Sequence, residues 1–328
     1  MTNTVPSIRS VPLWVHVLAV LMVCASLPLI FLGAEVTTRQ VGMVDPQGLR
    51  TPWHIFTAPL REHGLGYVIE HSHRFAGWIV GLFSIIVAVS LWLSVRHSRV
   101  RWLGWLAMIM VGVQGLLGIF RVQLNALLGP NLALIHGCFA QLVLAVLVAV
   151  AVVTSPGWWG PRTAVEQPGL RRLALLVNLL VYAQIIFGAF VRHFHHPLAQ
   201  RAHVLFAFMV TAGVVLLVRA AWGQEAGRGS RRAAIVLAAL VLVQVMLGVE
   251  AWIGRFGSAV PVELQTANPA LDYLRSAHFV VGALVFVTSI TMTLLLWRPA
   301  AQAEAVLNPT ADRLEGRQLT AVQIGSAV

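Results

Sequence analysis

The sequence predicts an all-α membrane protein with eight transmembrane helices, and three observations support this class. Of the 328 residues, 58% are hydrophobic and only 11% are charged, against about 25% charged in a soluble domain. The mean hydropathy is +0.80. Eight apolar segments have close to the length of about 20 residues that a helix needs to cross a bilayer. A soluble enzyme is therefore excluded. The segments run over about 13–34, 67–95, 102–120, 132–154, 172–191, 199–222, 233–252 and 275–297.

The basic residues indicate how the chain is oriented. The formal net charge is +11, and all 23 basic residues are Arg. They gather at the ends of apolar segments and form no nucleic-acid-binding face. Arginines follow the second, fourth and sixth segments, and Arg9 and Arg298 flank the termini. Because Lys and Arg stay on the cytoplasmic side of a membrane, both termini are predicted to be cytoplasmic.

The cysteines and the two ends of the chain add further expectations. Cys24 and Cys138 lie inside apolar segments without C-x-x-C spacing, so neither a disulfide framework nor a thiolate zinc site is indicated. The first segment is too long for a removed signal peptide and lacks a matching cleavage site. The polar tail from about residue 300 is predicted to be disordered.

A short motif recurs near the ends of the third, fifth and seventh segments, where a Gln is followed four residues later by Gly. The first segment ends similarly in Leu32 and Gly33. We interpret the unit as a repeated helical hairpin and predict two pseudo-repeated four-helix bundles, residues 1–166 and 167–328. Gly permits close helix approach or room for a flat ligand, whereas each Gln fits an interhelical hydrogen bond as well as a cofactor role. The motif pairs are Gln114–Gly118, Gln184–Gly188 and Gln244–Gly248.

Four of the 12 histidines occupy equivalent positions, one in each even-numbered segment. Each is predicted about 5 to 10 Å below the outer start of its helix. An intramembrane His is costly and usually functional, and a helix bundle can hold a porphyrin by imidazole ligation. Two His pairs predict two such sites toward the outer side, and the spacing leaves the pairing open. The four residues are His73, His136, His203 and His278.

One carboxylate accompanies these histidines. Glu70 precedes His73 by three residues and Arg74 by four, so the carboxylate and the imidazole share a helix face. Glu70 is either a proton-transfer group or the partner of Arg74 in a structural ion pair. The corresponding positions before the two later histidines hold Gln200 and Arg275. This asymmetry predicts that only one porphyrin site performs chemistry.

Several arginines are candidates for binding an acidic group. Three follow the Gln-x-x-x-Gly motifs against the positive-inside trend, and Arg201 and Arg275 stand near the later histidines. A guanidinium pairs bidentately with a carboxylate such as a haem propionate, and snorkelling to lipid headgroups is the alternative. The candidate cofactor-binding arginines are Arg74, Arg121, Arg192, Arg255 and Arg275.

The other histidines carry weaker signals. A cluster with no nearby Cys or acid is interpreted as an interfacial loop in preference to a transition-metal site. It consists of His193, His195 and His196. Three more have no partner in helix register and receive no assignment, namely His54, His63 and His71.

These residues resemble the haem A synthase family (CtaA-type proteins), which are eight-helix membrane proteins made of two similar four-helix halves. The resemblance runs from Gly33 to about Trp297. Its most specific element is a Glu-x-x-His-Arg string, matched by Glu70, His73 and Arg74. The remaining family histidines are matched by His136, His203 and His278.

The resemblance implies an activity and a division of cofactors. The N-terminal half would bind the substrate haem O through His73 and His136, and the C-terminal half a haem b cofactor through His203 and His278. Members oxidise the C8 methyl of haem O by successive hydroxylations to a geminal diol, which loses water to give the formyl of haem A. Glu70 would take part in this catalysis. A bacterial-type cell membrane, an electron donor and haem O synthase as a partner are implied in the same way.

One departure and two alternatives stand beside this resemblance. Many members carry two cysteines in the first outer loop, whereas residues 35–66 contain none. A quinol-linked bis-haem b-type electron carrier would suit four histidines equally well, and an inactive haem-handling protein is a third possibility. Glu70 favours the enzyme, because an electron carrier needs no carboxylate beside only one of its haems.

Overall fold

The regular structure of the described residues is all α-helix, in agreement with the predicted class. The computed structural model describes residues 11–44, 54–57, 64–159, 167–194, 196–223, 227–257 and 268–298. Eight helices in this part of the chain are long and apolar enough to cross a membrane. In chain order the helices are α1 (Leu13–Thr38), α2 (His54–Thr57), α3 (Leu65–Ser94), α4 (Ser98–Gln123), α5 (Asn125–Leu128), α6 (Pro130–Thr154), α7 (Pro156–Trp159), α8 (Pro168–Phe194), α9 (Pro197–Gly223), α10 (Arg228–Phe256) and α11 (Pro269–Trp297).

The long helices extend beyond most of the predicted apolar segments. Four of them begin at a proline, at positions 130, 168, 197 and 269, where the fixed φ of Pro suits the first helical turn. The four predicted histidines lie six to nine residues from the starts of α3, α6, α9 and α11. This corresponds to about 9 to 14 Å along the helix axis, deeper than the hydropathy limits predicted.

The eight spans pack as two adjoining rings of four helices. In the first ring α1 packs on α3, α3 on α4, α4 on α6 and α6 on α1. In the second, α8 packs on α9, α9 on α10, α10 on α11 and α11 on α8. The rings meet where α1 and α6 contact α11 and where α6 contacts α8. Whether the rings are equivalent repeats stays a prediction.

The apolar core fills only one end of each ring. In the first ring it includes Met22, Leu91 and Leu147, and in the second Leu170 and Leu237. The opposite end is where α1, α4, α8 and α10 finish and α3, α6, α9 and α11 begin. We call it the histidine end, because the four predicted histidines lie there. Polar side chains are therefore concentrated away from the packed core.

We expect Gly104→Leu to destabilise the contact between α3 and α4. A Cβ atom at Gly104 would lie 2.7 Å from the Leu91 Cδ1 and 3.4 Å from the Ala88 Cα, and overpacking costs about 1–3 kcal/mol. Gly112→Leu on the same helix is the matched control, because a Cβ there meets no described atom within 4 Å. The measurement is the temperature at which the detergent-solubilised variants lose helical circular dichroism. Equal temperatures for both variants would contradict this packing.

Candidate functional site

Each of the four predicted histidines packs against a glycine of the preceding span. The pairs are Gly33–His73, Gly118–His136, Gly188–His203 and Gly248–His278. A Cβ atom added to the glycine would lie 2.8, 3.3, 2.9 and 2.9 Å, in that order, from the histidine Cε1. These distances are shorter than comfortable carbon–carbon contact. Only glycine therefore leaves room for the imidazole, and the first span joins the motif through Gly33.

Backbone carbonyl groups fix the orientation of three of these imidazoles. The Nδ1 of His73 donates to the Leu29 carbonyl oxygen at 3.1 Å. His203 donates in the same way to Gln184 at 3.1 Å, and His278 to Gln244 at 3.2 Å. A carbonyl only accepts, so Nδ1 carries the proton and Nε2 presents its lone pair. Hydrogen bonds of this kind, made by the ring nitrogen that does not bind the metal, orient metal-ligating histidines in proteins.

His203 and His278 face each other across the second ring. Their ring centroids are 6.3 Å apart, with an interplanar angle of 78°. Two imidazoles that ligate one metal ion from opposite sides, each at about 2 Å, have centroids roughly 6 Å apart. The spacing of this pair would therefore suit one metal ion held by both imidazoles.

The three motif glutamines reach the histidines beside them. The Nε2 of Gln114 lies 3.1 Å from the His136 Nε2 and donates to the His136 carbonyl oxygen. The corresponding distance to the histidine Nε2 is 3.5 Å from Gln184 and 3.3 Å from Gln244. The Oε1 atoms of all three are buried and have no hydrogen-bond partner among the described residues. Each glutamine thus contacts the nitrogen that a metal ion would need.

The first span lacks this glutamine. Leu29 occupies the position four residues before Gly33, and only its carbonyl oxygen contacts His73 through a hydrogen bond. Among the four histidines, His73 is therefore the one without a motif glutamine beside it.

Glu70 is buried and receives donors on both carboxylate oxygens. Arg74 donates from Nη2 to Oε1 at 2.7 Å, and the backbone N–H of Val44 donates to Oε2 at 2.7 Å. The ion pair that the sequence left open is thus present. The contact with Val44 was not predicted. It connects the segment after α1 with the turn of α3 that precedes His73.

Two of the predicted arginines converge on the end of α1. Arg121 donates from Nη2 to the Thr37 hydroxyl at 3.3 Å. Arg192 donates from Nη2 to the Ala34 carbonyl oxygen and the Thr38 hydroxyl, both at 2.7 Å. Among the described residues, neither guanidinium has a carboxylate within 4 Å. A partly buried cation with only neutral partners is costly, so this region favours an anionic ligand.

The other arginines occupy different environments. Arg255 lies in the last turn of α10. Arg275 pairs with Asp272 at 3.6 Å, and its buried Nε has no hydrogen-bond partner among the described residues. Arg201 is exposed on α9. The structure therefore groups the predicted arginines at the histidine end, but it does not bring them all to one point.

Sequence reasoning missed two polar clusters at the histidine end. One joins Glu35 of α1 to Arg39, which also approaches Asp272 of α11. Glu35 closes an apolar segment, and an acid in that place is itself a signal of function. The other cluster contains His54 and His71, two histidines left unassigned above. Their rings meet edge to face at 6.2 Å, and the His54 Nε2 lies 2.8 Å from the Tyr67 hydroxyl.

The cluster predicted to be an interfacial loop has a local hydrogen bond. The Nδ1 of His196 accepts a bond from the backbone N–H of Leu198 at 3.2 Å, in the first turn of α9. His193 lies in the last turn of α8, and His195 lies outside the described residues.

Fold and site together define a polytopic membrane protein with four histidines, each packed on a glycine, at one end of two adjoining helix rings. The model of the family of cytochrome oxidase assembly proteins (COX15-CtaA) matches residues 50–201. Over these residues the chain is similar to that family.

Individual relatives show the same similarity. The heme A synthase of Shouchella clausii is 28% identical over 259 residues, which cover 72% of this chain and 82% of the relative. The heme A synthase of Alkalihalophilus pseudofirmus is 32% identical over 136 residues, covering 40% of this chain and 44% of the relative. That of Methylobacterium radiotolerans is 34% identical over 136 residues, or 39% and 36% of the two chains.

We expect Gly188→Ala to weaken haem binding in the second ring. The added methyl would lie 2.9 Å from the His203 Cε1 and would push the imidazole off its bond to Gln184. A strain of about 1–3 kcal/mol corresponds to roughly a 5- to 150-fold loss of affinity. Gly169→Ala on the same helix is the control, because a Cβ there meets no described atom within 4 Å. Spectroscopic titration of both purified variants with haem b measures the effect, and equal affinities would refute the close contact.

Proposed function

We propose that the protein is a haem A synthase that oxidises the C8 methyl of haem O to the formyl of haem A. The single observation that carries this proposal is the set of four Gly–His contacts at one level of two helix rings. Imidazoles held in fixed positions between helices would ligate the iron of a flat macrocycle. The similarity of the chain to relatives named heme A synthase supports the same function.

The residues of the second ring suit a haem b cofactor. His203 and His278 would hold it, because their ring spacing of 6.3 Å matches bis-imidazole ligation. Their Nδ1–H groups are bound to carbonyl oxygens, which leaves Nε2 to face the iron. The side chains of Gln184 and Gln244 would rotate away from the histidine Nε2 atoms. Their Oε1 atoms, which are buried and have no hydrogen-bond partner among the described residues, would then leave their present positions. The iron supplies one-electron redox chemistry when haem is bound.

The first ring would hold the substrate haem O between His73 and His136. His73 has the same carbonyl anchor and glycine contact as the histidines of the second ring. Its apolar neighbour Leu29, in place of glutamine, distinguishes this site from the proposed cofactor site. The two rings would thus perform different tasks with one shared geometry.

The arginines at the histidine end would bind the propionates of the two haems. Arg121 and Arg192 carry positive charge without a carboxylate partner among the described residues. A propionate would supply the matching negative charge through bidentate, charge-assisted hydrogen bonds. Arg275 offers a buried Nε that lacks a hydrogen-bond partner within the described chain. The remaining candidates for this role are Arg74 and Arg255.

Glu70 would act in the oxidation of the substrate methyl. It lies three residues before His73, and its two oxygens are held by Arg74 and by the Val44 backbone. Such fixed donors would hold the carboxylate in one orientation beside the substrate, where it would accept or return a proton during the oxidation. The second ring offers no carboxylate in the equivalent place, where Gln200 and Arg275 stand.

The proposed topology places both termini in the cytoplasm and the haem sites toward the outer side of a bacterial-type cell membrane. The arginine pattern of the connections supports this orientation. The proposed halves are residues 1–166 and 167–328, and the boundary at Glu166 and the tail from about residue 300 lie outside the described residues. An electron donor and haem O synthase are the partners that this activity requires or suggests.

The direct test is the identity of the haem in the purified protein. Protein produced in cells that make haem O is extracted with acidified solvent, and its haems are identified by mass spectrometry. The proposal expects haem B together with haem O, haem A or a hydroxylated intermediate. Haem B alone would contradict it and favour a b-type electron carrier.

We expect Glu70→Gln to stop conversion without emptying the haem sites. The substitution preserves size but removes the charge and the transferable proton, and a general acid or base contributes about 10²- to 10⁴-fold in rate. Haem O or a hydroxylated intermediate should accumulate. The measurement is haem composition per folded protein, by chromatography, in the variant and the parent.

A purely structural ion pair predicts the opposite pattern for Glu70→Gln. One of the two donors, Arg74 or the Val44 N–H, would then face an amide NH₂ group in place of an oxygen acceptor. The variant would lose protein or haem, and the molecules that remain folded would convert haem O at the parental rate. A normal yield of haem A per folded molecule therefore excludes a catalytic Glu70.

A further inference from the structure

We propose that Arg39 and Asp272 are positioning residues of the first ring, linking α11 of the second ring to the segment of α1 that supports His73. The inference rests on the proposed function in assigning substrate haem to the first ring. In this arrangement, a residue of the proposed cofactor-binding ring helps to position a helix of the proposed substrate-binding ring.

Arg39 forms the centre of the link. Its Nε donates to the Glu35 Oε2 at 2.7 Å, and its Nη1 lies 3.7 Å from the Asp272 Oδ2. The guanidinium also covers the Tyr273 ring at 4.9 Å. The hydrogen bond that Arg39 donates to Glu35 raises the pKa of Arg39 above its ordinary value, so the group stays charged. The planar guanidinium of Arg39 thus bridges one carboxylate on α1 and one on α11.

The link is shielded from water. The side chains of Glu35, Asp272 and Arg39 are 3%, 11% and 14% exposed. Exposed ion pairs contribute little to stability, whereas breaking a buried pair leaves an uncompensated charge and is strongly unfavourable. This ionic link therefore constrains the position of α1 relative to α11.

The constrained segment of α1 is the one that supports His73. Gly33, which contacts the His73 imidazole, lies two residues before Glu35. The second ring holds the same turns at two further points. Arg192 of α8 donates to Ala34 and Thr38, and the Thr38 and Ser276 hydroxyls are 3.4 Å apart. A shift of this segment would therefore move the backbone against which His73 packs.

Asp272 also contacts an arginine near the histidines of the second ring. Its other carboxylate oxygen, Oδ1, lies 3.6 Å from the Arg275 Nη1, and Arg275 stands three residues before His278. A carboxylate bound to Arg275 would compete with Asp272 for that cation. Asp272 would then pair more fully with Arg39. Haem binding in the second ring would thereby restrict the movement of the end of α1.

Arg39→Lys tests the link from the α1 side. Lysine keeps the charge but has no fork, so it cannot contact Glu35 and Asp272 together. We expect haem b to remain bound to the second ring with the parental spectrum, while the affinity for added haem O falls roughly 2- to 30-fold. Parallel loss of both haems would indicate a general structural role and overturn the proposal, as would unchanged haem O affinity.

A second set of variants separates positioning from a simple sum of contacts. Asp272→Asn combined with Arg39→Lys should weaken haem O binding no more than Arg39→Lys alone, because both changes break one link. Additive losses would contradict the proposal. Asp272→Glu keeps the charge and should retain most of the parental affinity. Glu250→Gln, which removes an exposed carboxylate of α10, is the matched control and should leave haem O affinity unchanged.

Hydrogen exchange in the haem-free protein tests the link independently of any activity. Arg39→Lys and Asp272→Asn should each increase amide exchange over residues 33–40, relative to the parent and to Glu250→Gln. Unchanged exchange in both variants would overturn the proposal even if the protein makes haem A. Increased exchange in a protein that never converts haem O would sustain the link and refute the proposed function.

Discussion

The close packing of an imidazole on a glycine is the constraint on which the histidine end depends. It forces the two helices of each Gly–His pair together, since a single methyl group would approach the imidazole to 2.8–3.3 Å. The same approach brings the Nδ1 of His73, His203 and His278 within reach of a carbonyl oxygen one turn earlier on the neighbouring helix. Glycine therefore sets how closely each histidine approaches the neighbouring helix, and the carbonyl contact that this approach allows fixes the tautomer of three of them.

This packing concentrates polar groups where the apolar core is absent, and the result is a charge imbalance. Arg121 and Arg192 donate only to neutral groups of α1, whereas the nearby carboxylates of Glu70 and Asp272 already have cationic partners. A membrane protein gains little by retaining such cations for stability alone, because desolvating a guanidinium is costly. The imbalance is therefore better explained by an anionic ligand than by the fold itself.

Much of this arrangement was predictable from the sequence, and the parts that were not share a physical cause. The eight spans follow from hydropathy, and the four histidines from their equivalent positions, because both signals are local in the chain. The helix ends were misplaced, since Pro130 and Pro269 begin helices before hydropathy rises. The contact of Thr38 with Ser276 spans 238 positions, and that of Val44 with Glu70 arises from a backbone N–H. Neither has a periodic pattern, so only the packed structure reveals them.

The two interpretations of Glu70 need not compete. A carboxylate that moves protons must be held in place, and the donors that hold it are those that an ion pair would use: Arg74 on Oε1 and the Val44 N–H on Oε2. What separates catalysis from architecture is the neighbour of the carboxylate. Glu70 stands one helical turn from His73, the histidine whose neighbouring span carries Leu29 where the others carry glutamine. An acid beside only one of four otherwise similar histidines is a specialisation that a symmetric pair of electron-transfer haems would not require. The first ring is therefore the one in which chemistry on a bound porphyrin is expected.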